Sequence, residues 1–158
     1  MSQPLIATKA LSHIAIRCTD LDRSVAFYQR VFGYDVFIDN RGQPNGATVI
    51  GLLGGVAMEL VKTDASDAEI AAAKAARPSL GHSCVALSVE DIDAVHATLK
   101  ADGLTDTPGP ETFGAVRVVF IRDPDGALLE FIQLGGKNAS LAEIAHKMRA
   151  KAAREAAS

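Results

Sequence analysis

From Leu11 to Cys18 apolar residues alternate with polar or small ones, which predicts a strand. Ile14 and Ile16 fall on one face of it, and His13, Ala15 and Arg17 on the other. From Leu21 the period changes. Leu21, Val25, Tyr28 and Phe32 recur at helical spacing, Asp20 or Asp22 can cap the start, and Gly33 suits the exit. Three strand-like stretches follow, near 35–40, 47–53 and 56–63, parted by turn residues such as Asn40, Gly42 and Pro44, then Gly54 and Gly55. The succession then begins again. His82 to Val89 reads as a strand, and Asp91 to Asp102 as a helix with Ile92, Val95 and Leu99 inward and Gly103 at its end. A weak strand near 105–108 is cut short by Pro108 and Pro110, and Val116 to Arg122 is a stronger one. Asp123-Pro124-Asp125-Gly126 is a hairpin turn, and Ala127 to Leu134 is the last strand.

The order β-α-β-β-β therefore occurs twice. His13 matches His82 at an offset of 69, Gly33 matches Gly103 at 70, and Glu59 matches Glu130 at 71, so the halves align with small slips. A steady offset indicates a duplicated unit. The expected fold class is α+β, with two tandem βαβββ modules forming a curved mixed sheet with a concave cavity, plus a C-terminal helix. One domain spans residues 1–158: module one about 10–63, an inserted helix over 64–77, module two about 80–134, and the C-terminal helix over 140–156. Ser66 with Glu69, and Ser140 with Glu143, have the spacing of capping boxes at the two helices outside the repeat.

Composition narrows the partners. At 158 residues with 48% hydrophobic content, the chain can bury a full core without staples. A net charge of −3 argues against nucleic acid, since phosphate binding needs a basic face. Cys18 and Cys84 form no metal-type or disulfide pattern, so a reducing compartment is expected. No apolar run is long enough to cross a membrane, and the first residues lack a signal-peptide core, so the expected location is cytoplasmic, with no membrane partner.

Glu59 lies in the apolar run Val56-Ala57-Met58-Glu59-Leu60-Val61, and Glu130 in Leu128-Leu129-Glu130-Phe131-Ile132. A carboxylate inside an apolar strand is costly to bury unless it is paired or coordinated. Each half also contributes a histidine on its opening strand, His13 and His82. Two imidazoles and two carboxylates suit one divalent ion such as Ni, Co, Zn, Mn or Fe(II), which makes the expected cavity metal-binding. Cys84 and Ala86 share the face of His82, and Cys84 lines the same expected pocket. His96 and His146, on helices, read as structural or solvated. Arg117 and Arg122 are candidate carboxylate or phosphate binders, or surface residues.

Three segments resemble the vicinal oxygen chelate superfamily, which includes glyoxalases, bleomycin-resistance proteins and dioxygenases. They are LSHIAIRCTDLDRSVAFYQRVFGYDV, GHSCVALSVEDIDAV and VVFIRDPDGALLEFIQL. The resemblance implies metal ligation by His13, Glu59, His82 and Glu130, a pattern most similar to glyoxalase I. It further implies isomerisation of a small vicinal-oxygen substrate through a metal-stabilised enediolate, with Glu130 as base, Glu59 as its counterpart and Arg17 as a substrate contact. Glutathione is a candidate co-substrate, although Thr63 and Pro78 depart from the glutathione-binding pattern. The alternatives are a methylmalonyl-CoA-epimerase-like or extradiol-dioxygenase-like enzyme, or a metal-free binding or resistance protein. A homodimer is expected, because two half-barrels leave apolar edges to cover.

Overall fold

The structure, a computed structural model, describes residues 11–43, 47–75, 84–114, 116–135, 149–150 and 154. The chain divides into two compact units: Met1–Arg77 with Asp123–Ala127, and Pro78–Arg122 with Leu128–Ser158.

In the first unit, strand β1 (Ile14–Cys18) leads into helix α1 (Leu21–Phe32). Asp20 caps α1 by accepting from the backbone N–H of Arg23, and Gly33 closes it in the left-handed conformation, φ 66°. Strands β2 (Asp35–Asp39), β3 (Thr48–Leu53) and β4 (Val56–Lys62) complete the module. The sheet order is β1-β4-β3-β2, with β1 parallel to β4 and the other pairs antiparallel. Helix α1 packs on β3 and β4. Cys18, Tyr28, Val49, Met58 and Leu60 are fully buried there. Each large apolar side chain of that core contributes about 1.5–3 kcal/mol by leaving water. Tyr34, just past the helix, is pinned by its hydroxyl, which donates to the carbonyls of Val49 (3.1 Å) and Met58 (2.8 Å). Its ring occupies the space above Gly51, where an added Cβ would stand 2.6 Å from the ring. Helix α2 (Asp67–Ala75) follows, and its capping box is formed: Ser66 N–H donates to Glu69 Oε2 (2.8 Å), and Glu69 N–H donates to Ser66 Oγ (3.3 Å).

The second unit repeats the plan with β5 (Val85–Ser88), α3 (Ile92–Ala101), β6 (Glu111–Phe113), β7 (Val116–Arg122) and β8 (Leu128–Leu134), in sheet order β5-β8-β7-β6. Asp91 caps α3 through the N–H groups of Asp93 and Ala94. The fold is thus α+β with tandem βαβββ modules, and its described strands form two four-stranded mixed sheets. The weak strand lies at Glu111–Phe113 and not near 105–108. Pro108 and Pro110 lack the N–H that a ladder needs, so pairing starts after them, with Glu111 opposite Val118. Thr107 is used differently: its carbonyl and hydroxyl lie 3.0 and 3.2 Å from Nε2 of the buried His96, which is therefore structural. Of the expected C-terminal helix, the described residues Arg149, Ala150 and Arg154 are helical. The Ser140–Glu143 box, His146 and the rest of that segment lie outside the described residues. No described helix is long and apolar enough to cross a membrane.

Candidate metal centre

Strand β1 buries Ile16 and Cys18 and turns His13, Ala15 and Arg17 to the open side. The parallel register sets Ala15 opposite Glu59, so His13, two residues earlier on the same side, reaches the Glu59 carboxylate. His13 Nε2 lies 3.6 Å from Glu59 Oε2, with the imidazole half-exposed and the carboxylate 22% exposed. Ser12 Oγ lies 3.2 Å from Nδ1, so Nε2 is the nitrogen that faces Glu59. A neighbour holding the remote ring nitrogen orients an imidazole for ligation. Two donors each about 2.1 Å from one ion stand roughly 3.0–3.4 Å apart, slightly closer than this pair. An imidazole and a carboxylate are donors that suit a borderline divalent ion, although no group of three or more His, Cys, Asp or Glu among the described residues comes together to hold one. Arg17 lies further along β1 on the Glu59 side, opposite Val61, and is exposed.

In the second unit β5 and β8 hold the same parallel register, with Ala86 opposite Glu130. Two residues before Ala86 stands Cys84, and its Sγ–H donates to Glu130 Oε2 at 3.2 Å. Both sheets obey one offset of 71: Ile14 and Val85, Ala15 and Ala86, Met58 and Leu129, Glu59 and Glu130 are matched, and α1 and α3 begin at Leu21 and Ile92. At that offset the counterpart of His13 is Cys84 (84 − 13). His82 lies outside the described residues. Sequence reasoning placed Cys84 on the pocket face without seeing this equivalence. The signal was present in His13-Ile14-Ala15 and Cys84-Val85-Ala86, which share the offset of the two glutamates. Cross-strand neighbours are apolar in both sheets, Ile50 beside Glu59 and Phe120 beside Glu130.

A buried polar cluster also forms in the first unit around the turn Asp123–Ala127. Tyr28 Oη donates to Asp123 Oδ2 (3.0 Å), and the N–H groups of Asp125 and Ala127 donate to Asp123 Oδ1 (3.0 and 2.7 Å). Burial pushes the Asp123 carboxyl above its ordinary range, against the opposing pull of those three donors. Asp125 accepts from Thr19 and from Arg23 Nη2, the latter at 2.7 Å. Burial raises its pKa, but these hydrogen bonds and the Arg23 charge outweigh that and hold it below the usual carboxylate range. Gly126 adopts φ 98°, and a Cβ there would meet the backbone N of Lys74 at 2.9 Å. This turn is structural. Of the two arginine candidates on β7, Arg117 is engaged by Asp93 through two bonds of 2.6 and 2.7 Å, while Arg122 lies opposite Leu128 at the end of the ladder. A cavity of about 360 Å³ in the first unit, lined by Thr19, Asp22, Arg41 and Lys62 among others, lies past the far end of β1 from His13.

Residues 10–131 match the Glyoxalase/Bleomycin resistance protein/Dioxygenase superfamily. A probable lactoylglutathione lyase of Vibrio cholerae is 34% identical over 130 residues, covering 77% of this chain and 88% of the relative. A lactoylglutathione lyase of Haemophilus influenzae is 30% identical over 128 residues, covering 77% and 90%. Among solved structures, a glyoxylase/bleomycin resistance protein/dioxygenase domain from Frankia superposes with a TM-score of 0.64 at 22% identity, covering 81% of this chain and 99% of that one. The fosfomycin resistance protein FosX of Listeria monocytogenes gives 0.62 at 19% identity, covering 87% and 98%, a likeness of fold alone. The family match over most of the chain, with curated enzymes at about 30% identity across nearly their whole length, establishes that this protein is an enzyme of the Glyoxalase/Bleomycin resistance protein/Dioxygenase superfamily.

Proposed function

We propose that this protein is a divalent-metal-dependent enzyme of glyoxalase type, isomerising a small vicinal-oxygen substrate as a lactoylglutathione lyase would. The observation that carries the reading is the His13–Glu59 pair, an imidazole and a carboxylate set side by side on the open face of the first sheet. The second sheet presents Glu130 at the equivalent register position. The proposed ligands are His13, Glu59, His82 and Glu130. The ion is Ni, Co, Zn, Mn or Fe(II), and its contribution when bound is Lewis acidity at the substrate oxygens.

The chain's own residues then perform the proton transfer. Glu130 takes the proton from the carbon next to the substrate carbonyl, and Glu59, on the matching strand, serves the adjacent carbon. Arg17, exposed along the Glu59 side, is placed to attract a carboxylate of the substrate or of a glutathione co-substrate. A homodimer belongs to the same reading, since Phe37, Ile38, Leu52 and Val56 leave apolar surface on the first unit for a second copy to cover. The test is an assay of the metal-loaded protein with the hemithioacetal of methylglyoxal and glutathione. Formation of S-lactoylglutathione is expected. A protein that carries its metal and leaves this substrate unchanged overturns the glyoxalase assignment.

A further inference from the structure

We infer that Cys84 is a positioning residue for Glu130: its thiol holds one carboxylate oxygen and leaves the other aimed to take the substrate proton. The inference rests on the glyoxalase reading above, which makes Glu130 the base, and it concerns the second unit alone. In the β5–β8 ladder Ala86 pairs with Glu130. Cys84 stands two residues ahead of Ala86, so alternation along the strand turns its side chain to the glutamate's side. The Sγ–H donates to Glu130 Oε2 at 3.2 Å. The pairing neighbours of Glu130 give no such help, because Ala86 and Phe120 carry no polar side-chain atom. Among the described residues, the Cys84 thiol is the one hydrogen-bond partner of the Glu130 carboxylate.

A glutamate side chain turns about several bonds, the last of them broad and roughly two-fold, so an untethered carboxylate samples many directions. A bond to Oε2 removes most of that freedom before the substrate arrives. Rate depends steeply on such aim, because a proton is transferred only across a short, aligned gap. The first unit provides a comparison. Glu59 holds the same register position, opposite Ala15, but His13 Nε2 stands 3.6 Å from Oε2, beyond hydrogen-bond distance. One carboxylate is tethered and its counterpart is not, in accord with Glu130 acting first. Burial separates the two cysteines in the same sense. Cys18 is wholly buried and fills core space, whereas Cys84 is half-buried and spends its proton on a carboxylate.

The test is steady-state kinetics of the metal-loaded full chain on the hemithioacetal of methylglyoxal and glutathione, with variants of opposite character. Cys84→Ser keeps a hydrogen-bond donor in a smaller side chain, and Cys84→Val keeps the volume without a donor. Cys84→Val should lower kcat about 10-fold or more and leave KM within about twofold of the wild type, since only the transition state depends on the aim of the base. Cys84→Ser should hold kcat within about threefold of the wild type. In the Glu130→Gln background Cys84→Val should cost nothing further, because the group it positions no longer acts as base. The reverse pattern, with Cys84→Val at the wild-type rate and Cys84→Ser impaired, makes Cys84 a packing residue and overturns the inference while the glyoxalase reading stands. An equal loss from Cys84→Val in the wild-type and Glu130→Gln backgrounds overturns it in the same way. Wild-type protein that carries its metal and leaves the substrate unchanged overturns both.

Discussion

Glu59 and Glu130 occupy the same register position in two sheets, and the proposed reaction gives the first proton to one of them. Each has an apolar cross-strand neighbour, Ile50 or Phe120. Assigning the first proton transfer to Glu130 makes Glu130→Gln informative, because the amide keeps shape and an oxygen donor but cannot act as base. Turnover should fall at least about 100-fold, the scale of a lost general base. Metal content by elemental analysis should stay near that of the wild type. Equal turnover in the metal-loaded variant would transfer the base role elsewhere. Arg17 calls for a different signature. It is exposed and stands beyond the His13–Glu59 pair along β1, so Arg17→Ala should raise KM several-fold, leave kcat and metal content nearly unchanged, and respond to ionic strength less than the wild type does.

At the scale of elements, the turn between β7 and β8 does more than reverse the chain. Asp123 holds three donors, and removing its carboxylate leaves them buried without an acceptor. Asp123→Ala should therefore cost about 3 kcal/mol in urea unfolding. Asp123→Asn, which keeps an acceptor for the two N–H groups, should cost well under half of that. The two aspartates have opposite pH signatures. Asp125 is held low in the folded state, so its stabilisation is present above the unfolded value of about 3.9 and is lost as pH falls through the folded value. Asp123 is held high, so its contribution is full below about 3.9 and is lost as pH rises through its raised folded value. The difference in melting temperature between the wild type and Asp125→Asn should be greatest near neutrality and shrink below about pH 4. A difference that stays constant with pH would mean that shape, and not charge, sets the role of Asp125. The strands, helices and caps around this turn were legible in the sequence because periodicity and capping are local. The DPDG turn was legible only as a turn. Tyr28 and Asp123 are 95 positions apart, and no local pattern announces that a hairpin turn will dock against a helix of the other module. The site was half legible for a related reason. A carboxylate in an apolar run stands out, so both glutamates could be singled out as candidates. The register that sets Ala15 opposite Glu59 and Ala86 opposite Glu130 was not legible, because a strand's register is fixed by its pairing and not by residue type.

For the whole molecule, the duplication has an energetic consequence. Each unit carries its own helix-backed core, and each offers one carboxylate with one soft or borderline donor at the same place in its sheet. An ion held by the proposed His13–Glu59 pair is bound only by folded chain, because the unfolded chain does not hold two donors 3.6 Å apart that are tens of residues distant in sequence. Such an ion stabilises the fold by mass action, by about 2.7 kcal/mol when free metal is 100 times the dissociation constant. For a chain of this length that corresponds to roughly 5–10 °C in melting temperature. Dialysis against a chelator should lower the thermal midpoint by that amount, and stoichiometric Zn or Co should restore it. His13→Ala should melt near the chelated wild type and gain little from added metal, since losing an imidazole weakens the site while leaving the core of the first unit untouched. An unchanged midpoint after the metal has been removed, confirmed by elemental analysis, would show that the ion serves the chemistry alone and that the two hydrophobic cores hold the fold without it.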